Sequence, residues 1–199
     1  MGEVRKGMLL VVSGPSGVGK GTVSRPLDED ASFIYSVSCT TRAPRPGEAD
    51  GREYYFITED RFREMIDAGE FLEYALVHGN FYGTPRKPVL EALERGQNIR
   101  LEIDTQGAEQ VMGRMPDCVS VFILPPSYSE LRRRLEGRGT ETQEVVERRL
   151  ANARQEIADC GRYQYLIVNV EVEEATRALL SIVQAEKQRA SRYYPTVEE

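Results

Sequence analysis

The chain has 199 residues, with 26 Lys and Arg against 32 Asp and Glu, for a formal net charge of −6. Its length suits one buried core, and its acidic balance argues against sequence-independent binding of nucleic acid. Three cysteines at wide, irregular spacing fit neither a disulfide framework nor a zinc site, and the longest apolar runs are too short to span a bilayer. We therefore expect a soluble cytoplasmic protein without a signal peptide, whose partners are small molecules.

Apolar runs alternate with helical patterns along the chain. Strands are predicted at 8–13, 98–104, 118–124 and 165–170, and helices in "KPVLEALERG", in "SYSELRRRL" and near 142–160 and 172–190. This alternation predicts an α/β domain in which a parallel sheet lies between layers of helices. Between about 35 and 85, short β-prone segments rich in Tyr, Thr and Gly indicate an inserted β subdomain. The end segments "EVRKG" and "YYPTVEE" are predicted to be loose tails.

A glycine-rich stretch, "SGPSGVGKGT", follows the first predicted strand and fits G-x-x-x-x-G-K-[ST], except that Gly21 stands at the hydroxyl position. Glycines let backbone N–H groups surround phosphate oxygens, and Lys20 can reach the β- and γ-phosphates. Thr22 or water is expected to make the metal contact that Gly21 cannot make. The predicted nucleotide-binding residues of this loop are Gly14, Pro15, Ser16, Gly17, Val18, Gly19, Lys20, Gly21 and Thr22.

Two further features lie downstream of this loop. Pro26 lacks a backbone N–H, so the helix after the loop is expected to bend or end early. In "SVSCTTRAPRPGE", Arg42 and Arg45 stand three residues apart beside several hydroxyls, and their guanidinium groups suit an anion held between them. Such a pair alone is as often a solvated surface. Together with a phosphate-binding loop, it indicates a second phosphorylated substrate.

Several motifs together resemble the guanylate kinase family: "SGPSGVGKGT", "SVSCTTRAPRPGE", "DGREYYF", "GEFLEYA", "GNFYGTP", "LEIDTQGA", "FILPPS" and "RLEGRGTE". Their order and spacing carry the resemblance from about Gly7 to the last helix. It implies a P-loop nucleoside monophosphate kinase fold, with a core at about 7–34, 88–125 and 156–190. It also implies a GMP-binding subdomain at about 35–87 and a lid at about 126–155. The implied reaction is direct in-line transfer of the γ-phosphoryl group of ATP to GMP with Mg²⁺, giving ADP and GDP.

The resemblance also implies the substrate contacts. By this likeness the phosphate of GMP is held by Arg42, Arg45, Tyr54 and Tyr82. Guanine is read by Ser38, Glu73, Thr84 and Glu102. The chemistry of guanine agrees independently, because its N1–H and N2–H₂ are adjacent donors that one ionised carboxylate can accept together.

The remaining candidates lie near the ATP phosphates. Asp104, at the end of the predicted strand 98–104, is expected to orient a magnesium-bound water. The likeness implies that Arg138 and Arg149 close on the ATP phosphates as lid arginines, with Arg134 a weaker candidate. Asn169 matches a residue near adenine, although Val170 stands where relatives tend to carry an acidic residue. His78 and the cysteines are expected to be spectators, because in-line transfer needs no protein nucleophile.

Two alternatives stay open on the sequence. One is a guanylate-kinase-like module that binds phosphopeptides, against which the presence of Lys20, Arg138 and Arg149 argues. The other is a kinase of another small phosphorylated substrate on the same fold, which the set of Ser38, Glu73 and Thr84 disfavours. The oligomeric state is not predicted by the sequence.

Overall fold

The structure is a computed structural model, in which residues 4–77, 79–137 and 142–195 are described. In chain order the strands are β1 (Val4–Arg5), β2 (Leu9–Ser13), β3 (Phe33–Tyr35), β4 (Ser38–Thr40), β5 (Tyr54–Phe56), β6 (Phe71–Val77), β7 (Asn80–Pro85), β8 (Asn98–Glu102), β9 (Val119–Leu124), β10 (Tyr165–Val168) and β11 (Tyr193–Tyr194). The α-helices are α1 (Lys20–Ser24), α2 (Glu59–Asp67), α3 (Arg86–Glu94), α4 (Thr105–Arg114), α5 (Tyr128–Glu136), α6 (Gln143–Ala158) and α7 (Val172–Lys187). The fold is therefore α/β, as the sequence predicts.

The main sheet has five strands in the order β10-β9-β2-β8-β3. Every neighbouring pair in it is parallel, and β2 lies at the centre with all five residues buried. A strand that is covered on both faces must be apolar throughout, which explains why "LLVVS" does not alternate. The carboxyl ends of the parallel strands meet at one edge, where ligands bind in open α/β sheets.

Helices cover both faces of this sheet. On one face, Val12 of β2 packs in a buried cluster with Val23 of α1 and Leu179 of α7. On the other face, Val11 belongs to a second cluster that includes Val111 of α4. Because adjacent residues of β2 point into opposite clusters, the central strand joins the two halves of the core.

A second sheet has four strands in the order β5-β4-β7-β6. Strands β6 and β7 form an antiparallel hairpin, and its turn contains Gly79 at a φ of 81°. This sheet has a separate small core in which Cys39, Phe62 and Phe71 are buried. Phe62 comes from α2, a helix that the sequence analysis did not predict. The small sheet thus packs on its own hydrophobic centre and lies within the range 35–87.

The helix after the glycine-rich loop is short. α1 ends at Ser24, and a 3₁₀-helix follows at Arg25–Asp28, with Pro26 near its first position. Proline has no N–H to donate and its fixed φ suits the start of a helical turn. The predicted early end of this helix is confirmed.

The end of β8 differs from the predicted end of this strand. Strand β8 ends at Glu102, two residues before the predicted end at Asp104. The Asp104 carboxylate instead caps α4 by accepting a hydrogen bond from the backbone N–H of Gly107 at 2.8 Å. Aspartate is favoured at this position because it satisfies a free N–H of the first helical turn. The prediction that Asp104 closes the strand was wrong, because Asp104 lies after the end of β8 and caps α4.

In the described parts of the predicted tails, residues 4–7 and 193–195, the chain is paired and not loose. β1 pairs with β11 in an antiparallel two-stranded sheet. Beside it, Arg192 and Glu186 form an ion pair at 3.2 Å, and both side chains are only 3% exposed. Glu186 also accepts a hydrogen bond from the Tyr165 hydroxyl at 2.6 Å. Buried charges need such partners, so this network fixes the end of the chain to the core.

Among the described residues, none of the helices combines the length and the apolar character needed to cross a membrane.

Candidate active site

The glycine-rich loop between β2 and α1 has a backbone that only glycine adopts easily. Gly14, Gly17 and Gly19 have φ values of 139°, 86° and 96°. A Cβ at Gly14 would lie 2.4 Å from the carbonyl oxygen of Ile123, which no side chain could tolerate. The loop is therefore held tightly against β9 at the carboxyl edge of the main sheet, which is the position of a phosphate-binding loop.

The ammonium of Lys20 rests on the loop itself. Its Nζ donates to the carbonyl oxygens of Gly14 at 2.6 Å and of Pro15 at 3.2 Å. These carbonyls hold a charge at the place where phosphate oxygens would lie in a P-loop. Ser16 and Thr22, two predicted contacts of the loop, are exposed there.

Side chains from α5, α6 and the end of β10 contact the loop. Arg149 Nη1 donates to Ser16 Oγ at 3.3 Å. Asn169, almost fully buried, donates through Nδ2 to the Val18 carbonyl at 2.8 Å. Arg134 donates to the same carbonyl at 3.3 Å and to the Asn169 carbonyl at 3.1 Å. The structure thus brings Arg149 and Asn169 to the loop, and their predicted contacts with ATP stay predictions.

Arg138, the other expected lid arginine, lies outside the described residues, as does His78. Arg134, a weaker candidate by sequence, makes two contacts that join α5 to the loop and to the segment after β10.

A polar cluster lies on the small sheet, facing the end of β8. Thr84 Oγ1 donates to Glu73 Oε1 at 2.5 Å, and Ser38 Oγ lies 3.4 Å from Thr84 Oγ1. These three residues come from β7, β6 and β4, and register places Glu73 directly opposite Thr84. Ser38 and Glu73 border a cavity of about 200 Å³ that Tyr54, Tyr82, Glu102 and Asp104 also line, while Thr84 lies buried behind it. Three of the predicted guanine contacts are thus adjacent.

The Glu73 carboxyl is buried, at 4% exposure, and packs against α4. Burial raises its pKa from 4.5 to about 7, the Thr84 hydrogen bond lowers it, and the nearby Asp104 carboxylate raises it further. A Cβ at Gly107 would lie 2.5 Å from Glu73 Oε2. The absence of a side chain at Gly107 therefore leaves room for this carboxylate. The nearby Arg114 guanidinium lowers the pKa, but burial prevails, and a desolvated carboxylate with a raised pKa is typical of a ligand-binding site.

The predicted GMP phosphate contacts extend from Tyr54 and Tyr82, which line the cavity, to Arg42 and Arg45 after β4. Arg42 Nη2 donates to Glu48 Oε1 at 3.0 Å, and the backbone N–H of Arg45 donates to Glu48 Oε2 at 2.7 Å. The Arg42 guanidinium lies over the Tyr54 ring, 5.5 Å from its centre. The rings of Tyr54 and Tyr82 meet edge to face at 5.8 Å. Glu48 and the two tyrosines thus hold Arg42 in place, while Arg45 is exposed.

Glu102 borders the cavity, but its carboxylate has partners on the loop side. Glu102 Oε1 accepts from Ser24 Oγ at 2.6 Å and lies 3.2 Å from Arg100 Nε. The predicted contact between Glu102 and guanine stays a prediction.

Sequence reasoning missed several residues that hold the site together. Glu48 fixes Arg42, and Gln110 of α4 bonds the backbone of Tyr74 in both directions, at 2.6 and 3.3 Å. Arg114 donates to the Leu72 carbonyl. These bonds fasten β6, which carries Glu73, to the main sheet through α4. No motif predicts them, because long-range contacts leave no local pattern, although Glu48, three residues after Arg45, could have suggested a carboxylate near Arg42.

A glycine-rich loop on a central parallel strand, faced by a polar base-sized cavity on a separate small sheet, defines a P-loop nucleoside monophosphate kinase. The model of the guanylate kinase family matches residues 6–186. The chain is 49% identical to the guanylate kinase of Clostridioides difficile (strain 630), with 96% of this chain and 93% of the relative covered. It is 52% identical to the guanylate kinase of Symbiobacterium thermophilum, with 94% and 89% covered.

A solved structure shows the same likeness. The crystal structure of guanylate kinase from Anaplasma phagocytophilum matches with a TM-score of 0.76 at 38% identity, covering 95% of this chain and 90% of that chain. The chain belongs to the guanylate kinase family. It is an ATP:GMP phosphotransferase.

Proposed function

We propose that GMP binds between the small sheet and the end of β8, and that ATP binds at the glycine-rich loop, so that their phosphates meet near Lys20. The observation that carries this arrangement is the cluster of Ser38, Thr84 and Glu73, of which Ser38 and Glu73 line the 200 Å³ cavity. The cavity is also lined by Asp104, on the same sheet edge as the loop. The reaction is transfer of the γ-phosphoryl group of ATP to GMP.

Guanine is read by hydrogen-bond polarity. Glu73 in its ionised form accepts from guanine N1–H and N2–H₂, while the Ser38 hydroxyl can donate to O6. The Thr84 hydroxyl donates to Glu73 Oε1 and so orients the carboxylate. Adenine presents an acceptor at N1, which a carboxylate would repel. The burial of Glu73 makes this discrimination strong, because a buried acceptor without a donor costs about 1–3 kcal/mol.

The phosphate of GMP is held by Arg42, Arg45, Tyr54 and Tyr82. Arg42 is already fixed by Glu48, so its guanidinium offers a preset direction to phosphate oxygens. The exposed Arg45 supplies a second guanidinium that can turn toward the anion. Edge-to-face packing fixes the ring of Tyr54 against Tyr82.

Transfer depends on charge and position. Lys20 leaves the carbonyls of Gly14 and Pro15 and contacts the β- and γ-phosphates, whose charge is greater than that of two carbonyl dipoles. Arg149, beside Ser16, and Arg138 stabilise the negative charge of the transferring group. Asn169, which orients the loop through Val18, lies where adenine would enter.

Magnesium fits the acidic donors at the end of β8. In the part of the chain that the structure describes, no three His, Cys, Asp or Glu side chains cluster as a ready-made metal site. Mg²⁺ usually keeps several waters and takes phosphate oxygens with one or two carboxylates, which suits Asp104 together with Thr22. The ion, when bound, neutralises charge on the ATP phosphates. Asp104 would then accept a hydrogen bond from a water on the ion.

The division into moving parts is also proposed. The range 35–87 acts as the GMP-binding subdomain and 126–155 as the lid, while 7–34, 88–125 and 156–190 form the core. The separate hydrophobic centres around Phe62 and around Leu131 support this division. Three free cysteines support a reducing compartment such as the cytoplasm.

An assay of ADP formation with GMP, dGMP, AMP, UMP and CMP as acceptors tests the assignment of the base pocket. GMP and dGMP are expected to react far faster than the other three, because only guanine presents two adjacent donors to Glu73. Equal rates with AMP and GMP would contradict the assignment. Omitting Mg²⁺ and adding a chelator tests the metal requirement in the same assay.

A further inference from the structure

A buried arginine on the central sheet has no part in the scheme above. Arg100 of β8 is 7% exposed, and its neighbours Ile99 and Leu101 point to the opposite face into the core. In register, Arg100 lies between Leu10 of β2 and Tyr35 of β3. A guanidinium inside a sheet is costly unless all its bonds are satisfied, so its partners indicate its purpose.

Those partners come from the segment after the glycine-rich loop. Arg100 Nη1 donates to the carbonyl oxygen of Ser24 at 2.6 Å, and Nη2 donates to Asp28 Oδ1 at 2.8 Å. Ser24 is the last residue of α1, the helix that gives way at Pro26 to a 3₁₀ turn. A cation at the carboxyl end of a helix takes a carbonyl that the helix cannot use. Arg100 thus secures the shortened helix.

The same group extends to Glu102. Arg100 Nε lies 3.2 Å from Glu102 Oε1, and Ser24 Oγ donates to that oxygen at 2.6 Å. One oxygen of the Glu102 carboxylate is therefore held by a hydrogen bond from Ser24 and by an ion pair with Arg100, whose Nε makes no hydrogen bond. This leaves Oε2 with a fixed direction.

That direction is toward Gly21. A Cβ at Gly21 would lie 3.2 Å from Glu102 Oε2. Position 21 is where a P-loop usually carries the hydroxyl that contacts the metal. In this chain a carboxylate oxygen faces the space that such a side chain would occupy, and oxygen anions are the ligands that Mg²⁺ or its waters prefer.

We propose that Ser24 and Arg100 are positioning residues that hold Glu102 toward Gly21, where its carboxylate takes the place of the missing hydroxyl in the binding of Mg²⁺–ATP. The network assigns Glu102 to the ATP side of the site. It also gives the early end of α1 a purpose, because that end presents both the Ser24 carbonyl and the Ser24 hydroxyl to β8.

Calorimetric binding of ATP with Mg²⁺, and of ATP with a chelator, separates this role from structural support. Ser24→Ala keeps the backbone carbonyl for Arg100 and removes the bonds of the Ser24 hydroxyl to Glu102 Oε1 and, at 2.9 Å, to the Lys20 carbonyl. It should weaken binding of Mg²⁺–ATP about tenfold or more, as loss of a residue that orients a metal ligand does, and leave binding of metal-free ATP unchanged. Arg100→Lys, which keeps the charge but loses the fork, should act in the same direction.

A double-mutant cycle supplies the decisive comparison. In the Glu102→Gln background, Ser24→Ala should have no further effect on the Mg²⁺ dependence of ATP binding, because the carboxylate is its route to the metal and the bond to the Lys20 carbonyl does not involve the metal. Asp30→Asn is the matched control. It removes an ion pair with Lys187 in the segment after the 3₁₀-helix, outside the network of Ser24, Arg100 and Glu102. It should therefore lower the unfolding midpoint without changing the Mg²⁺ dependence of ATP binding.

Three results would overturn the proposal. Ser24→Ala could weaken ATP binding equally with and without the metal, or its effect could persist in the Glu102→Gln background. Alternatively, Glu102→Gln could alter the preference for GMP over AMP while leaving Mg²⁺–ATP binding intact, which would return Glu102 to the guanine pocket.

Discussion

The two ends of the GMP cleft differ in how far the protein has prepared them. At the guanine end, Ser38, Thr84 and Glu73 already form a connected, largely buried set. At the phosphate end, the cations are bound to the protein's own oxygens: Lys20 to loop carbonyls and Arg42 to Glu48. Under the proposed assignment, the base would meet a preformed pocket, whereas the phosphates would displace or share existing partners. Specificity would then depend on the preformed end and transfer on the end that rearranges.

Removing Lys20 should break the phosphate end most severely. Lys20→Met deletes the charge at the β- and γ-phosphates and leaves the loop glycines intact, so kcat should fall by roughly 10²–10³-fold or more. GMP binding, measured by calorimetry, should survive, because the guanine pocket is untouched. Lys87→Met, at an exposed position on α3, is the control and should retain wild-type turnover. Near-normal kcat in the Lys20 variant would dissociate the loop from catalysis.

Neutralising Glu73 should break the guanine end alone. Glu73→Gln keeps one acceptor but presents an amide donor to guanine, so kcat/KM for GMP should fall by roughly 10–100-fold. Activity with AMP should not fall in step, because the amide can donate to adenine N1. Measuring both substrates with the same preparation, beside an exposed Glu94→Gln control, decides the matter. An equal drop for GMP and AMP would mean that Glu73 supports the sheet and reads no base.

Arg45 offers a milder test of the phosphate end. Arg45→Ala removes an exposed guanidinium while its backbone bond to Glu48 stays, so Arg42 remains fixed. Losing one charge-assisted contact to phosphate should lower kcat/KM for GMP by about tenfold. Guanosine binding should not change, since it has no phosphate. Arg86→Ala, at the exposed start of α3, serves as the control. Unaltered kinetics in the Arg45 variant would move the phosphate site elsewhere.

The pH dependence of GMP binding should report on the guanine end, and we expect it to be the smallest of these effects. Because the Glu73 pKa is about 7 in the folded protein, affinity for GMP should fall as pH drops below 7, by up to about tenfold per unit. In Glu73→Gln only the titration of the substrate phosphate should remain. A pH profile shared by both proteins would exclude Glu73 as the titrating group.

The same carboxyl has a consequence for stability, with a definite sign. Its pKa is raised on folding from 4.5, so the folded state holds the proton more tightly. The favourable contribution of the protonated group to the free energy of unfolding is complete below pH 4.5 and is lost as pH rises through 7. Glu73→Gln should therefore raise the unfolding midpoint more at pH 8 than at pH 5. The ionised carboxylate that is proposed to bind guanine therefore destabilises the folded protein.

Sequence reasoning reached the parts that depend on local pattern. The buried strands, the loop from Gly14 to Thr22 and the early end of the helix at Pro26 each follow from adjacent residues. α2 was missed because its short amphipathic turn buries only two residues, and Asp104 was placed in a strand because its capping bond to Gly107 cannot be read from apolar periodicity. The terminal pairing of β1 with β11 joins residues about as far apart as the chain allows, which no local pattern reports.

The close approach of Glu73 to Gly107 has an evolutionary consequence. A methyl group at position 107 would meet the end of a flexible side chain and no backbone atom, so the fold should accommodate Gly107→Ala by displacing the carboxylate. Such a protein would keep its phosphate loop, its sheets and its family likeness, yet lose the group that accepts from guanine. A duplicated copy could thus leave nucleotide metabolism in one step while its cleft stays open to a new ligand. If Glu73 binds guanine as proposed, one added carbon atom would remove the reaction while the likeness to the family over the whole chain remained.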